Sequence, residues 1–213
     1  MKDHVIAARV IPVVRCRVGG GGIVSANRIL SSNSPSDLVH VRFNRSEQES
    51  LLRLYLRGDL RSRRLCVDYL RAGLGVRGNR QFILGMCDRM IPDRSTYVRW
   101  QALLMLGQHA ERHPDEIWPS VLKWGTVQNR DIRRGVACCV LEHVLQHHFD
   151  PYFERALSHS TGGHRRFAYT LAYCWRFGQA GLPNNAQRFD SFKREAFPRG
   201  RRAEIAGGLE EGS

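Results

Sequence analysis

Cys139, His143 and His147 recur at four-residue steps inside RRGVACCVLEHVLQHHFD, residues 133–150. Thiol and imidazole groups at that spacing share one helix face, and adjacent members can chelate one small ion. Two further ligands would have to come from other helices, because positions i and i+8 lie about 12 Å apart along a helix. No second pair suits: His109 and His113 are also four apart, but they close a polar QHAERHPD run. The metalloprotease form HExxH is absent too, since Val144 follows His143 and Glu142 precedes it. Packing explains the stretch better. Cys139, His143 and His147 share a stripe with Ile132 and Val136, while Ala137, Cys138, Leu141, Val144 and Leu145 cover the opposite side. A helix apolar on two sides is an interior helix. The sequence therefore assigns no metal and no cofactor, and leaves Cys139, His143 and His147 as its candidate ligand set.

Nucleophile arrangements are equally thin. Ser158, His159 and Ser160 sit in a turn with His164 close behind, without the GxSxG elbow that exposes a catalytic serine. GGGG at 19–22 lacks the flanking strand and helix of a nucleotide loop. No catalytic residue is assigned.

What could position these groups is read from the rest of the chain. Its 213 residues suffice for one packed domain with extensions. Six cysteines lie mostly in apolar helical runs without CxxC pairs, which reads as free thiols in a reducing cytoplasm. The apolar N-terminal run VIAARVIPVV is broken by Arg9 and Pro12, unlike a secretory signal, and no run reaches the length of a membrane span. A net charge of +13 points to an acidic partner, nucleic acid or anionic lipid. However, only Lys2, Lys123 and Lys193 are lysines, leaving 30 arginines among 33 basic residues, a skew that GC-rich codons also produce. The excess is not a tail: basic against acidic residues number 7 to 2 over 1–46, 21 to 14 over 47–190 and 5 to 4 beyond.

The chain divides into three regions. Residues 1–46, with GGGG and SSNSPSD, read as a poorly ordered leader or as translation begun upstream of the true start. Residues 47–192 are helical, and 193–213 form a polar tail. Within the helical region four segments echo one another, from Leu60, Ser95, Asn129 and Thr161. Aligning Arg64, Arg99, Arg133 and Arg166 gives steps of 35, 34 and 33 residues. Each segment opens on turn or capping residues, among them Asp59, Asp93, Ser95, Asn129 and Thr161. Shorter helices alternate with them, headed by Asp115 and by Asp150 with Pro151. The unit is a helix, a turn and a second helix, repeated.

The form YVRWQALLMLG, echoed at IRRGVACCVL and HRRFAYTLAY, resembles helix A of HEAT and HEAT-like repeats over roughly two thirds of the chain. The resemblance implies an all-α fold, a right-handed α-solenoid of about four helix pairs, and leaves function open because that fold hosts scaffolds, transport factors and several enzymes. The HEAT-type di-iron hydroxylases carry His-Glu dipeptides; this chain has only the reverse, Glu142-His143. HEAT-like alkylation-repair glycosylases grip DNA on a basic face, which Arg99, Arg133, Arg134, Arg165 and Arg166 with Trp100, Tyr169 and Trp175 would imitate. Alternatively, one arginine per repeat is a structural ladder that pairs with turn aspartates or carbonyls. The expectation is a non-catalytic, cytoplasmic binding or scaffold module for a protein partner, without membrane association. Nucleic acid is the alternative partner.

Overall fold

A computed structural model of the chain describes residues 42–197, all helix and connecting turns with no strand among them. The leader expected over 1–46 lies outside the described residues up to position 41, as does the tail from 198. The packed region passes both edges drawn from sequence. Phe43 is buried, and at the far end Phe197 packs on Tyr169 with ring centroids 4.8 Å apart.

Nine helices succeed one another among these residues: α1 (Arg45–Arg57), α2 (Leu60–Gly73), α3 (Arg80–Met90), α4 (Thr96–Ala110), α5 (Pro114–Gly125), α6, α7 (Phe149–Thr161), α8 (Arg165–Tyr173) and α9 (Pro183–Ala196). The rod α6 comprises α-helical Arg130–Val136, a π turn at Ala137–Leu141 and α-helical Glu142–His147. Helix starts obey local chemistry. Asn44 and Glu47 cap α1 reciprocally, and Asp59, Ser95 and Asn129 accept from Ser62, Val98 and Ile132 N–H at the heads of α2, α4 and α6.

Three sequence-drawn starts differ. Helices α5 and α7 begin one residue early, at Pro114 and Phe149, with no side-chain cap. Asp115 and Asp150 are instead held by Arg155 and Arg188 from the next second helices along the chain, so their carboxylates do not turn back onto the backbone. Thr161 ends α7 rather than opening α8, its hydroxyl donating to the Leu157 carbonyl.

The first helices of successive units, α2, α4, α6 and α8, contact one another in chain order and form a first row. The second helices, α3, α5, α7 and α9, are tied in the same order as a second row. Asp88 accepts from Ser120, Lys123 and Trp124; Trp118 packs on Tyr152; Phe153 stacks on Phe189. The core runs between the rows through Leu70, Ile83, Leu103, Ile117, Leu141, Phe153, Phe167 and Phe189, all fully buried. Polar ties between units join residues 30 to 40 positions apart, as in Arg63 to Asp93, Arg99 to Asp131, Trp175 to Glu142 and Arg155 to Asp115. Thr170 to the Gly125 carbonyl, at 45, reaches further still.

The π turn bears on the ligand stripe. It inserts one residue into the hydrogen-bond ladder of α6 and rotates the remainder of the helix by about 100°. Its bulged backbone rests on α4, where the Cys139 carbonyl lies so close to Gly107 that any side chain there would collide.

Candidate functional site

The arginines singled out by spacing separate into internal and surface groups. Asp93, buried in the turn before α4, accepts from Arg63, from the Tyr55 hydroxyl and from Ser95 N–H. Its carbonyl accepts from Arg99, whose Nη1 also binds Asp131 in the next turn. Trp100 joins that joint by donating its indole N–H to Asp131 at 3.2 Å. Arg133 is fully buried and donates Nη1 to the Val127 and Gln128 carbonyls, both at 2.8 Å. A partner-contacting role for Arg133 is thereby corrected: no part of it reaches the surface. In the first unit Arg63 takes the ladder position, and the aligned Arg64 lies exposed over the Tyr97 ring.

Arg134, Arg165, Arg166 and Trp175 stay at or near the surface. Arg134 stacks over Tyr173, Arg165 hydrogen-bonds the Tyr169 hydroxyl, and Arg166 is exposed. Trp175 is 68% exposed, the most open large hydrophobic side chain among the described residues.

Cys139, His143 and His147 diverge. Cys139 is buried against α4, His143 faces Glu111 at 3.4 Å and His147 is exposed. Burial pushes the Cys138 and Cys139 thiols up to about 11 and 12, so both stay protonated at neutral pH. Among the described residues no three His, Cys, Asp or Glu side chains are grouped to hold a metal ion. His109 and His113 belong to a joint as well: Glu116 accepts from His109, and Arg80 bridges Glu116 and His113.

Sequence reasoning missed the surroundings of Trp175. The chain leaves α8 through Cys174–Phe177 and enters a short 3-10 turn, Gly178–Gly181. Glu142, just after the π turn, accepts the Trp175 N–H at 2.7 Å, while Lys193 donates to the Cys174 carbonyl. Gln179 secures the other end by donating to the His147 carbonyl and accepting from Phe149 N–H. Gly178 makes the close passage over α6, with φ +49 and Gln146 where a Cβ would stand. Between these anchors Trp175 and Phe177 project into solvent, Phe177 at 52% exposure. The only sequence signal was a tryptophan and a phenylalanine flanking Arg176 beside a glycine.

Burial raises the Glu142 carboxyl from 4.5 to about 7, against the Trp175 N–H and the Lys193 charge, which favour ionisation. The folded protein thus keeps a proton that the unfolded chain releases. This contribution to stability is complete below about pH 4.5 and is lost as pH rises through about 7. Glu142→Gln keeps the size and the acceptor oxygen without the ionisation. The variant should match the parent near pH 4.5 and exceed it by about 1–3 kcal/mol at about pH 8 in urea unfolding. Equal stabilities at both pH values would refute this account.

Charge divides between the rows. The first-row helices carry ten basic against three acidic residues, a net of +7, whereas the second-row helices carry seven of each. Second-row acids are largely engaged with second-row bases: Asp88 with Lys123, Asp115 with Arg155, and Asp150 and Glu154 with Arg188. Among the described residues none of the exposed large hydrophobics lies on a second-row helix. They are Leu56 on α1, Leu60 on α2, Tyr97 and Leu104 on α4, and Trp175, Phe177 and Leu182 between α8 and α9. An open groove between α7, α8 and α9 is walled by Phe153, Leu157, Ala168 and Phe192, with Glu154 and Arg188 paired across its lining. No helix among the described residues is long and apolar enough to cross a membrane. No family model, curated protein or solved structure matches the chain.

Proposed function

We propose that the chain is a non-catalytic binding module, a short right-handed α-solenoid of four HEAT-like helix pairs that holds a protein partner on its first row. Chain-order contacts within each row, and ties that reach one unit along, support the solenoid reading. The observation that carries the function is the division of the surface. Among the described residues, exposed large hydrophobics are absent from α3, α5, α7 and α9, while Leu60, Tyr97 and Leu104 stand beside Arg61 and Arg64 on α2 and α4. Apolar anchors mixed with arginine and tyrosine are the composition of protein interface centres. The unpaired thiols of Cys66, Cys87, Cys138, Cys139 and Cys174 fit a cytoplasmic setting.

Affinity capture with wild-type and Leu104→Asp proteins tests the proposal. Leu104 is 40% exposed, so the variant should fold normally. Wild type should recover a defined protein that the variant retains at least about 10-fold less, as loss of an interface anchor requires. Recovery of nucleic acid alone, or equal recovery by both baits, counts against it.

A further inference from the structure

We infer that the C-terminal half of the first row carries a second site, separate from the α2–α4 face, that binds single-stranded nucleic acid. Helices α6 and α8 bring four arginines that are not buried, Arg130, Arg134, Arg165 and Arg166, against two acids, and both acids are already engaged. Asp131 is held by Arg99 and Trp100, and Glu142 is buried beneath the Trp175 backbone. Among the described residues no carboxylate pairs with Arg134 or Arg166, and Arg165 lies beside Arg166 at the head of α8.

Trp175 and Phe177 supply the other half of the site. The backbone is extended at Cys174 and Phe177, Cys174 is buried, and Arg176 turns toward α9 to pair with Asp190. Trp175 and Phe177 are both exposed, and two residues of extended chain span about 7 Å. Two rings held at that separation each take one base of an unstacked strand, and base–aromatic stacking contributes about 1–3 kcal/mol per base. Planar guanidiniums fork onto phosphate oxygens along the same strand. The anchors at Glu142, Lys193 and Gln179 hold the backbone that carries the rings, so binding has only side-chain rotamers to order there. A duplex hides its base faces from both rings. An acidic protein would satisfy the arginines and leave the rings unused.

Fluorescence anisotropy of the full chain with a labelled oligothymidylate of about 15 nucleotides, and with a duplex of equal length, is the test. The strand should bind at least about 10-fold tighter than the duplex, and its affinity should fall with salt at a logarithmic slope near about −2. Trp175→Ala combined with Phe177→Ala should weaken strand binding by about 10-fold or more, and Arg134→Ala with Arg166→Ala should flatten the salt slope. These side chains are exposed or half-exposed, so the folded signal should persist. Leu104→Asp should leave strand binding unchanged, which separates this site from the protein-binding face. Equal affinity for strand and duplex, no effect of losing both rings, or displacement by polyglutamate as readily as by unlabelled strand would each overturn the inference.

Discussion

Gly107→Ala is expected to leave the protein largely unfolded at room temperature. A Cβ at this position would collide with the Cys139 carbonyl and stand 3.2 Å from the His143 ring. The obstacle is backbone on both sides, so no rotamer change relieves it. Helices α4 and α6 must move apart and give up packing around Leu103, Leu106, Val136 and Val140, all buried. A loss of at least about 5 kcal/mol results, comparable to the whole stability of a marginally stable domain. Gly85→Ala is the control. Gly85 lies within α3 with nothing inside 4 Å of its built Cβ. It should gain about 0.5–1 kcal/mol from reduced freedom of the unfolded chain. Urea unfolding followed by circular dichroism reads both, and a Gly107→Ala protein as stable as the parent would show that the π turn does not lock these helices together.

Arg133→Ala should cost about 3–5 kcal/mol, because it opens a cavity where a fully buried side chain lay and removes the donor that ties the Val127 and Gln128 carbonyls to α6. Arg133→Lys should recover part of the loss, since a single ammonium lacks the planar fork. By contrast, Arg166→Ala removes an exposed side chain and should change stability by less than about 0.5 kcal/mol. Comparing the urea midpoints of the three variants separates a ladder arginine from a surface arginine. A cost below about 1 kcal/mol for Arg133→Ala would remove Arg133 from the ladder.

The recurring features were legible in the sequence, since a repeat writes the same chemistry several times. Asp59, Ser95 and Asn129 cap the helices they head, and Arg99 and Arg133 fold back onto turn groups, whereas Arg64 and Arg166, aligned with them by spacing, lie exposed. Features that occur once were not legible. A hydrophobic pattern at 3.6 residues per turn cannot announce a π turn, so the stripe through Cys139, His143 and His147 could not be placed beyond Ala137. Whether Arg63 or Arg64 meets Asp93 depends on where α4 sits, which α2 does not encode. Asp115 and Asp150 show the same limit: each is suited to capping by its position, but an arginine about one unit further along claims it. The division of charge between rows emerges only after alternate helices are known to lie side by side.

The ties between units, most of them 30 to 40 residues long, also govern how the chain can fold. Closing a loop costs entropy that grows with the logarithm of its length, so a series of nearly equal loops presents a series of nearly equal barriers. Each new helix pair can add to the unit already formed, and low contact order of this kind goes with rapid folding. Local opening should begin in the outer helices, while the α4–α6 lock at Gly107 persists longest.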